Sequence, residues 1–498
     1  MADDDSPLRR ERRAKLEALR SRGVEAYPYR YGDRVPSSAV VAACRDLKPG
    51  DALADRALRV AGRIGPVRSH GKSSFVDLVD GAGSLQLLLR VDELGEAPYR
   101  QWLSDLDPGD IVGAEGAPLL TRRGEPSLAV RSLTMLAKAI APPPEKFHGL
   151  KDPEERLRRR YVDLLSSAET RDRFRARALL TREVRGFLDR EGFLEVETPV
   201  LASVASGAAA QPFLTRSNYL DAEVQLRISL ELPLKRLLVG GLEQVYEVGR
   251  IFRNEDLDAT HSPEFTMLEL YWAYEDYEAM ARLVERLYAH LAARVAELLP
   301  DSEAARGAPE RFRPPFARVD YVAELERRSG IVDLLGKSRE QLRDLARSIG
   351  ATVPDDSTAG TFLDKLFGHY VEPHLDRPTF VFDFPAATTP LAKRHRSREG
   401  LVERFELFSR GFELGNAYSE LNDPDEQERR FREQLSQRGE ETVAYDADFV
   451  EALRFGMPPA TGLGIGVDRM VMALAGIPSI KDVILFPPTR ERPGSRAA

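Results

Sequence analysis

The sequence predicts an α+β protein in two parts: a small five-stranded β-barrel, then a larger and mainly antiparallel sheet flanked by helices. Three observations predict it. Between residues 57 and 140, β-rich segments (LRVAGRIGPVR, SSFVDLVD, SLQLLLRV, DIVGAEGAPLL, SLAVRSLTML) alternate with turns such as DGAG and DPGD. Five short strands so close together suit a small barrel of the oligonucleotide-binding kind. The segment APPPEKFHGLKDPEE then breaks the pattern with three consecutive prolines, as a domain boundary does. Beyond residue 171, helical apolar spacing and strand-like runs follow one another with short connections, which favours antiparallel pairing.

Taken in order, residues 6–22 read as a charged helix within an N-terminal helical extension, 1–56. The barrel occupies 57–145, a linker 146–170, and the larger domain 171–498 with a helical insertion at about 320–375. RDRFRARALLTREVRGFLDREG has helical spacing and stops at Gly192; FLEVETPVL alternates as a strand ending at Pro199. QVYEVGRIF and EFTMLELYW read as strands, Tyr277 to Leu299 as a long helix, FELFSRGFELGNAYSEL as strand, and GLGIGVDRMVMALAGIP as a strand entering a helix.

The 498 residues are 42% hydrophobic and 31% charged, a globular composition. No apolar run approaches the ~18–20 residues of a membrane span, and MADDDSPLRRERRAKLEAL has no signal-peptide core, so the expectation is a cytoplasmic protein with no membrane segment. One cysteine, Cys44, excludes an internal disulfide framework and any multi-cysteine metal site. The net charge of −8 does not advertise nucleic-acid binding; the basic clusters Arg9–Arg22 and Arg156–Arg160 read as solvated helix faces or local phosphate contacts.

Three segments concentrate chemistry. In TGLGIGVDRM, alternating Gly462, Gly464 and Gly466 clear one face of a strand. Asp468 is placed as a helix N-cap, and Arg469 stands in the first turn, where the helix dipole already disfavours a cation unless an anion such as phosphate joins it. Tight helix packing explains the same glycines equally well. FRNEDLDATHSPEF is too long and charged for a plain hairpin turn. Arg253 and Glu255 face one side, as do Phe265, Met267, Glu269 and Tyr271 on the following strand, a set suited to a purine nucleotide triphosphate. Asp256 and Asp258 have no role and face solvent. In ERFELFSRGFELGNAYSELND, Asn416, Tyr418 and Glu420 share a face, and Glu406 and Glu413 meet across a hairpin. Carboxylates without His or Cys favour Mg²⁺ on substrate phosphates over zinc. Alone, this segment also reads as an amphipathic edge strand.

FLEVETPVL, FRNEDLDATHSPEFTMLELY and GLGIGVDRM together resemble motifs 1, 2 and 3 of class II aminoacyl-tRNA synthetases, of the subclass with an N-terminal anticodon-binding OB-fold barrel. KFHGLKDPEERLRRRYVDL, SGAAAQPF, LKRLLVGG, SPEFTMLELY and NAYSELND resemble the lysyl-tRNA synthetase family within it. The resemblance runs from about residue 58 to the end and implies ATP-dependent attachment of L-lysine to tRNA(Lys) through a lysyl-adenylate. It implies catalytic arginines Arg253 and Arg469, with Arg253, Glu255, His261, Phe265 and Arg469 on ATP. Glu406 and Glu413 would hold Mg²⁺, of which up to three ions are expected. Lysine would meet Gly207, Glu231, Glu269, Tyr271, Asn416, Tyr418 and Glu420: Gly207 and Glu231 at the α-ammonium, Asn416 at the carboxylate, Glu420 with Tyr271 at the ε-ammonium. Arg68, Phe75, Gln86 and Glu125 would read the anticodon, and motif 1 would make a homodimer. A pocket for aspartate would instead need Lys or Arg, which the matching strand positions lack. The chain departs from the family's pattern at RISLELPLK, Ser206 and Ser262.

Overall fold

The computed structural model describes residues 6–143, 150, 152–204, 207–208, 210–355, 357–438 and 446–489. Two compact units divide near residue 151, within the proline-rich segment. Ser206 lies outside the described residues.

In the first unit, β1 (Leu58–His70), β2 (Ser73–Asp80), β3 (Gly83–Arg90), β4 (Ile111–Leu120) and β5 (Pro126–Ala137) close a barrel in the order β1-β2-β3-β5-β4. Full closure leaves no free sheet edge. Alternation sets its two faces: Val76, Leu78, Leu85 and Leu87 point into the core. The residues between them point outward. The N-terminal helices Pro7–Ser21 and Ser37–Ala43 are no detached extension, for Leu16, Leu19 and Val40 enter that same core. Cys44 is buried, and its thiol donates to the Leu119 carbonyl.

The second unit is built on an eight-stranded sheet: β6 (Leu194–Glu195), β10 (Gln244–Phe252), β11 (Glu264–Ala273), β12 (Ala317–Asp320), β13 (Thr379–Pro385), β14 (Leu401–Ser409), β15 (Phe412–Ser419) and β16 (Ala460–Gly466). Its order is β12-β13-β14-β15-β16-β11-β10-β6. Pairing is antiparallel except at the two ends, where β12 runs parallel to β13 and β6 to β10. A separate small sheet joins β7 (Leu201–Ala202), β8 (Leu214–Ser217) and β9 (Ala222–Leu226). Helices Ala168–Arg190, Tyr277–Leu298 and Val467–Ala475 bury apolar stripes against one face of the large sheet. The stretch expected to be a linker carries two short helices, Pro153–Arg158 and Arg160–Ser166. Helices Tyr321–Ser329, Arg339–Ser348 and Ala359–Tyr370 form the insertion around their own core.

FLEVETPVL makes a shorter strand than its alternation predicts. On the large sheet Leu194–Glu195 pair as strand, with one further bond from the Val196 N–H to the Tyr246 carbonyl, and Leu201 already belongs to β7 of the small sheet. Beyond that, Thr198 turns its N–H and hydroxyl to the Glu247 carboxylate (3.0 and 2.7 Å), and Pro199 has no N–H to give a ladder.

Candidate active site

A cleft of about 1030 Å³ opens on the face of the large sheet opposite the long helices, and its axis follows β16. Register orders the walls. Gly462 lies between Tyr271 and Tyr418, Gly464 between Glu269 and Asn416, and Gly466 opposite Met267. The next turn brings Arg469. Two of these glycines, Gly462 and Gly464, are steric. A Cβ on Gly462 would strike the Glu420 carboxylate and the Tyr271 ring, and one on Gly464 would lie 2.6 Å from the Met267 methyl.

At the Gly466 end stands the charged loop, residues 253–263. Arg253 donates its N–H to the Pro263 carbonyl (2.8 Å) across the loop's base. Its guanidinium lies 5.3 Å over the Phe265 ring and donates to the Ile228 carbonyl. Burial pulls its pKa down, against the neighbouring charges of Glu255, Glu269 and Glu413. Asp258 faces solvent as expected but is not idle: it accepts from the Thr260 N–H (2.6 Å), the Thr260 hydroxyl, the His261 N–H (2.7 Å) and His261 Nδ1 (2.8 Å). Partial burial pushes its pKa up, but these bonds outweigh it and hold the group well below the usual carboxylate range. The arrangement fixes the tautomer. Arg469 Nη2 approaches His261 Nε2 at 2.9 Å, and a guanidinium only donates, so the ring proton sits on Nδ1 facing Asp258.

Asp468 is not the N-cap. The helix begins at Val467 with Gly466 at the cap, and the Asp468 side chain turns back to accept from the Thr266 N–H (2.8 Å) and to pair with Arg177. It thereby ties this helix to β11 and to helix Ala168–Arg190. Arg469 is left facing the cleft, 3.4 Å from Glu413 Oε2.

Glu406 and Glu413 both line the cleft. They are not directly opposite: Glu406 pairs with Asn416 and Glu413 with Phe408, across an irregularity at Leu407/Phe408. Arg404, unforeseen from sequence, holds this region. It donates to Asn416 Oδ1 (3.0 Å), pairs with Glu406, and lies 4.5 Å over Phe384. Burial pushes the Glu406 pKa up to about 8; Arg404 opposes this, while Glu413, Asp364 and Glu372 add to it. Such crowding of hard oxygen donors suits a divalent cation. Among the described residues no three His, Cys, Asp or Glu side chains enclose a metal alone, so an ion here would complete its shell with water and substrate oxygens, as Mg²⁺ commonly does.

The Gly462 end is apolar-walled and acidic. Glu269, 3% exposed, accepts from the Leu230 N–H (2.9 Å) and from the hydroxyls of Ser229 and Tyr271 (both 3.1 Å). Burial and the charge of Glu231 push its pKa up to about 7. Glu231 opens helix Glu231–Val239; the Tyr418 hydroxyl donates to its Oε1 at 2.6 Å. Gly207, at φ +87°, sits where a Cβ would crowd Ser229 and Glu231. The departures at RISLELPLK are thus accommodated: Ser229 is bonded to Glu269, and Pro233 occupies the first helical turn, where a backbone N–H has no helical partner. Ser262 is buried in the cleft wall with an unpartnered hydroxyl. Glu420 is only 1% exposed, set behind the wall rather than open to the cavity. Cations are present after all: besides Arg404 on β14, Lys235 on the helix pairs with both Glu231 and Glu420.

In the barrel, Arg68 lies opposite Phe75, and Gln86 opposite Asp77, so Arg68, Phe75 and Gln86 share the outward face of β1, β2 and β3. Phe75 is half-buried against Leu88, Ala117, Leu119 and Ala129. Arg68 is held by a two-pronged bond to Asp77 (2.7 and 2.8 Å), a partner missed from sequence. Gln86 accepts from Ser127, and Glu125 is exposed two residues before it in the chain.

A chain that carries a five-stranded barrel and, after it in sequence, an eight-stranded sheet with this cleft has counterparts among known proteins. Residues 152–490 match the class II tRNA synthetases (D, K and N), and residues 58–136 match the OB-fold nucleic acid binding domain. The chain belongs to the class II tRNA synthetase family. Among individual proteins it is 46% identical over 482 residues to the lysine–tRNA ligase of Moorella thermoacetica, covering 96% of each chain. It is 47% identical to the lysine–tRNA ligase of Roseiflexus castenholzii, over 97% of this chain and 99% of that one. To the lysine–tRNA ligase of Chloroflexus aurantiacus it is 45% identical, over 97% and 98%.

Proposed function

We infer that the protein activates L-lysine with ATP and transfers it to tRNA(Lys), supplying lysyl-tRNA for translation in the cytoplasm. The observation that carries this reading is the acidic end of the cleft. Glu231, Glu269 and Glu420 are all under 5% exposed, and buried carboxylates demand cations. An amino acid with two ammonium groups answers that demand. One whose side chain is a carboxylate does not.

The two ends of the cleft orient the reactants. Arg253 and Arg469 bind the triphosphate from two sides, Phe265 stacks on adenine with Glu255 accepting from its amino group, and His261 meets the outer phosphates. Lysine enters with its α-ammonium toward Glu231 and Gly207 and its ε-ammonium toward Glu420, Glu269 and Tyr271, the stem against Tyr418. Asn416 and Arg253 receive the carboxylate. Its oxygen then attacks the α-phosphorus, expelling pyrophosphate; the terminal ribose hydroxyl of tRNA displaces AMP from the resulting lysyl-adenylate. No side chain acts as a nucleophile, so positioning and charge stabilisation supply the acceleration. Mg²⁺ held by Glu406 and Glu413 would neutralise phosphate charge when bound. Arg68, Phe75, Gln86 and Glu125 read the anticodon by stacking and edge hydrogen bonds. Motif 1 pairs two copies into a homodimer, which light scattering checks: a monomer at working concentration contradicts it.

Charging tests the whole reading. With ATP and Mg²⁺ the protein is expected to esterify lysine to tRNA(Lys). Normal adenylate formation without charging would instead make it a ligase for another acceptor.

A further inference from the structure

Lys235 is fully buried one turn after Glu231, on the same helix, and lies behind the cleft wall rather than in it. Its ammonium donates to Glu231 Oε1 (2.5 Å) and touches Glu420 Oε2. The rings of Tyr418 and Phe449 lie 5.5 and 5.9 Å from Nζ. Neither oxygen of Glu420 has a well-directed hydrogen bond. The charged and titratable groups facing this cluster are Glu231 from its own helix, Glu269 and Tyr271 from β11, Tyr418 and Glu420 from β15 and its end, and, on the phosphate side of Glu269, Arg253, whose charge the substrate carboxylate and phosphate take up in the reading above. Glu231 and Glu420 share the one resident ammonium and Glu269 has none, so three carboxylates are buried with a single lysine.

We propose that Lys235 is a positioning residue, the built-in counter-ion of the amino-acid pocket, holding Glu231 and Glu420 aligned and setting a deficit of two positive charges that a diamino acid fills. This rests on the lysine-activating reading above. It explains why a cation stands in a pocket for a cation: without it the pocket would bury three carboxylates against two substrate ammoniums, and an unmatched buried charge costs several kcal/mol.

The deficit has a titration consequence. Burial pushes Glu420 up to about 8, with Lys235 opposing and Glu231 adding; Glu269 stands at about 7. Both acids hold protons below those values, and the substrate's ammoniums require them ionised. Lysine binding therefore releases protons, and its affinity rises as pH climbs through 7 to 8. Removing the charge of Lys235 takes the nearest cation from Glu420, so that acid holds its proton to higher pH and the rising limb moves up.

The test is lysine-dependent pyrophosphate exchange from pH 6 to 9.5 on the full chain. Wild type without lysine-dependent exchange at any pH would sink the functional reading and leave this one without an object. With wild type active, Lys235→Met and Lys235→Gln should each raise the lysine KM about tenfold or more at pH 7. They should move the limb up by on the order of one pH unit and leave the ATP KM within about twofold, while Lys235→Arg keeps the wild-type limb. A wild-type pH profile in either neutral variant, or equal loss for lysine and ATP, would overturn the proposal. Failure of both neutral variants to fold while Lys235→Arg folds would also overturn it, by making the cation a requirement of the fold.

Discussion

Among the described residues two lysine ammoniums, Lys138 and Lys235, are buried among carboxylates, and the two clusters behave oppositely. Beside the barrel, Lys138 donates to the Asp105 carbonyl (2.7 Å), Asp107 (2.5 Å) and Asp110 (2.8 Å). Lys15 takes the other Asp107 oxygen, and backbone N–H groups of Asp107 and Ala139 take the Asp110 oxygens. Two ammoniums meet two carboxylates. Burial raises the Asp107 pKa, but Lys138 and Lys15 outweigh it and the net displacement is downward. Behind the cleft wall, Lys235 pairs with Glu231 and Glu420 while Glu269 has no ammonium of its own, and Glu269 and Glu420 are displaced upward. A closed ion cluster is structural; one left short of cations is a binding site waiting for them.

Substitutions can break that contrast. The largest effect is expected from Asp110→Asn, which strips a partner from a fully buried ammonium. It should lower stability by about 3–5 kcal/mol in denaturant unfolding while folded protein keeps its lysine-dependent exchange. Unchanged stability would remove the structural half of the comparison.

Arg253→Ala, at the phosphate end, should cut the rate of adenylate formation by about 10²–10³ with thermal unfolding nearly unchanged. Normal exchange would remove Arg253 from the chemistry.

Glu420→Gln sharpens the contrast most. The lysine KM should rise by roughly 10- to 150-fold, the ATP KM staying put. The folded chain holds the Glu420 proton to higher pH than the unfolded chain, so stability falls as pH rises from about 4.3 toward about 8. An amide removes that cost, and the thermal midpoint at pH 8 should hold or rise. A falling midpoint would class Glu420 with Asp110.

Phe75→Ala, the smallest effect, should weaken tRNA charging by about 1–3 kcal/mol for one lost stacking contact and spare exchange. Equal loss in both would detach the barrel from tRNA recognition.

Local pattern made much of this legible. Every barrel strand follows from alternation between Gly, Pro and Asp turns, and Gly476 ends its helix in the left-handed conformation as its position implies. Period-two spacing rightly put Phe265, Met267, Glu269 and Tyr271 on one wall. What stayed hidden depends on long-range pairing. Asp468 looked like a cap because nothing local reveals Thr266 and Arg177 across the sheet. Asp258 looked idle because its hydrogen bonds exist only once the loop has turned. Arg404 and Lys235 became visible when strand register and helix packing set them against their carboxylates. Lys235, four residues after Glu231 in LELPLK, did carry one local signal, the i, i+4 spacing of a helical ion pair.

On the reading proposed above, the cation deficit of the cleft selects lysine. Amino-acid-dependent pyrophosphate exchange into ATP, run across the full set of amino acids, tests it most directly. Lysine should drive exchange far above every other amino acid, and stimulation by aspartate or asparagine with none by lysine would contradict the account.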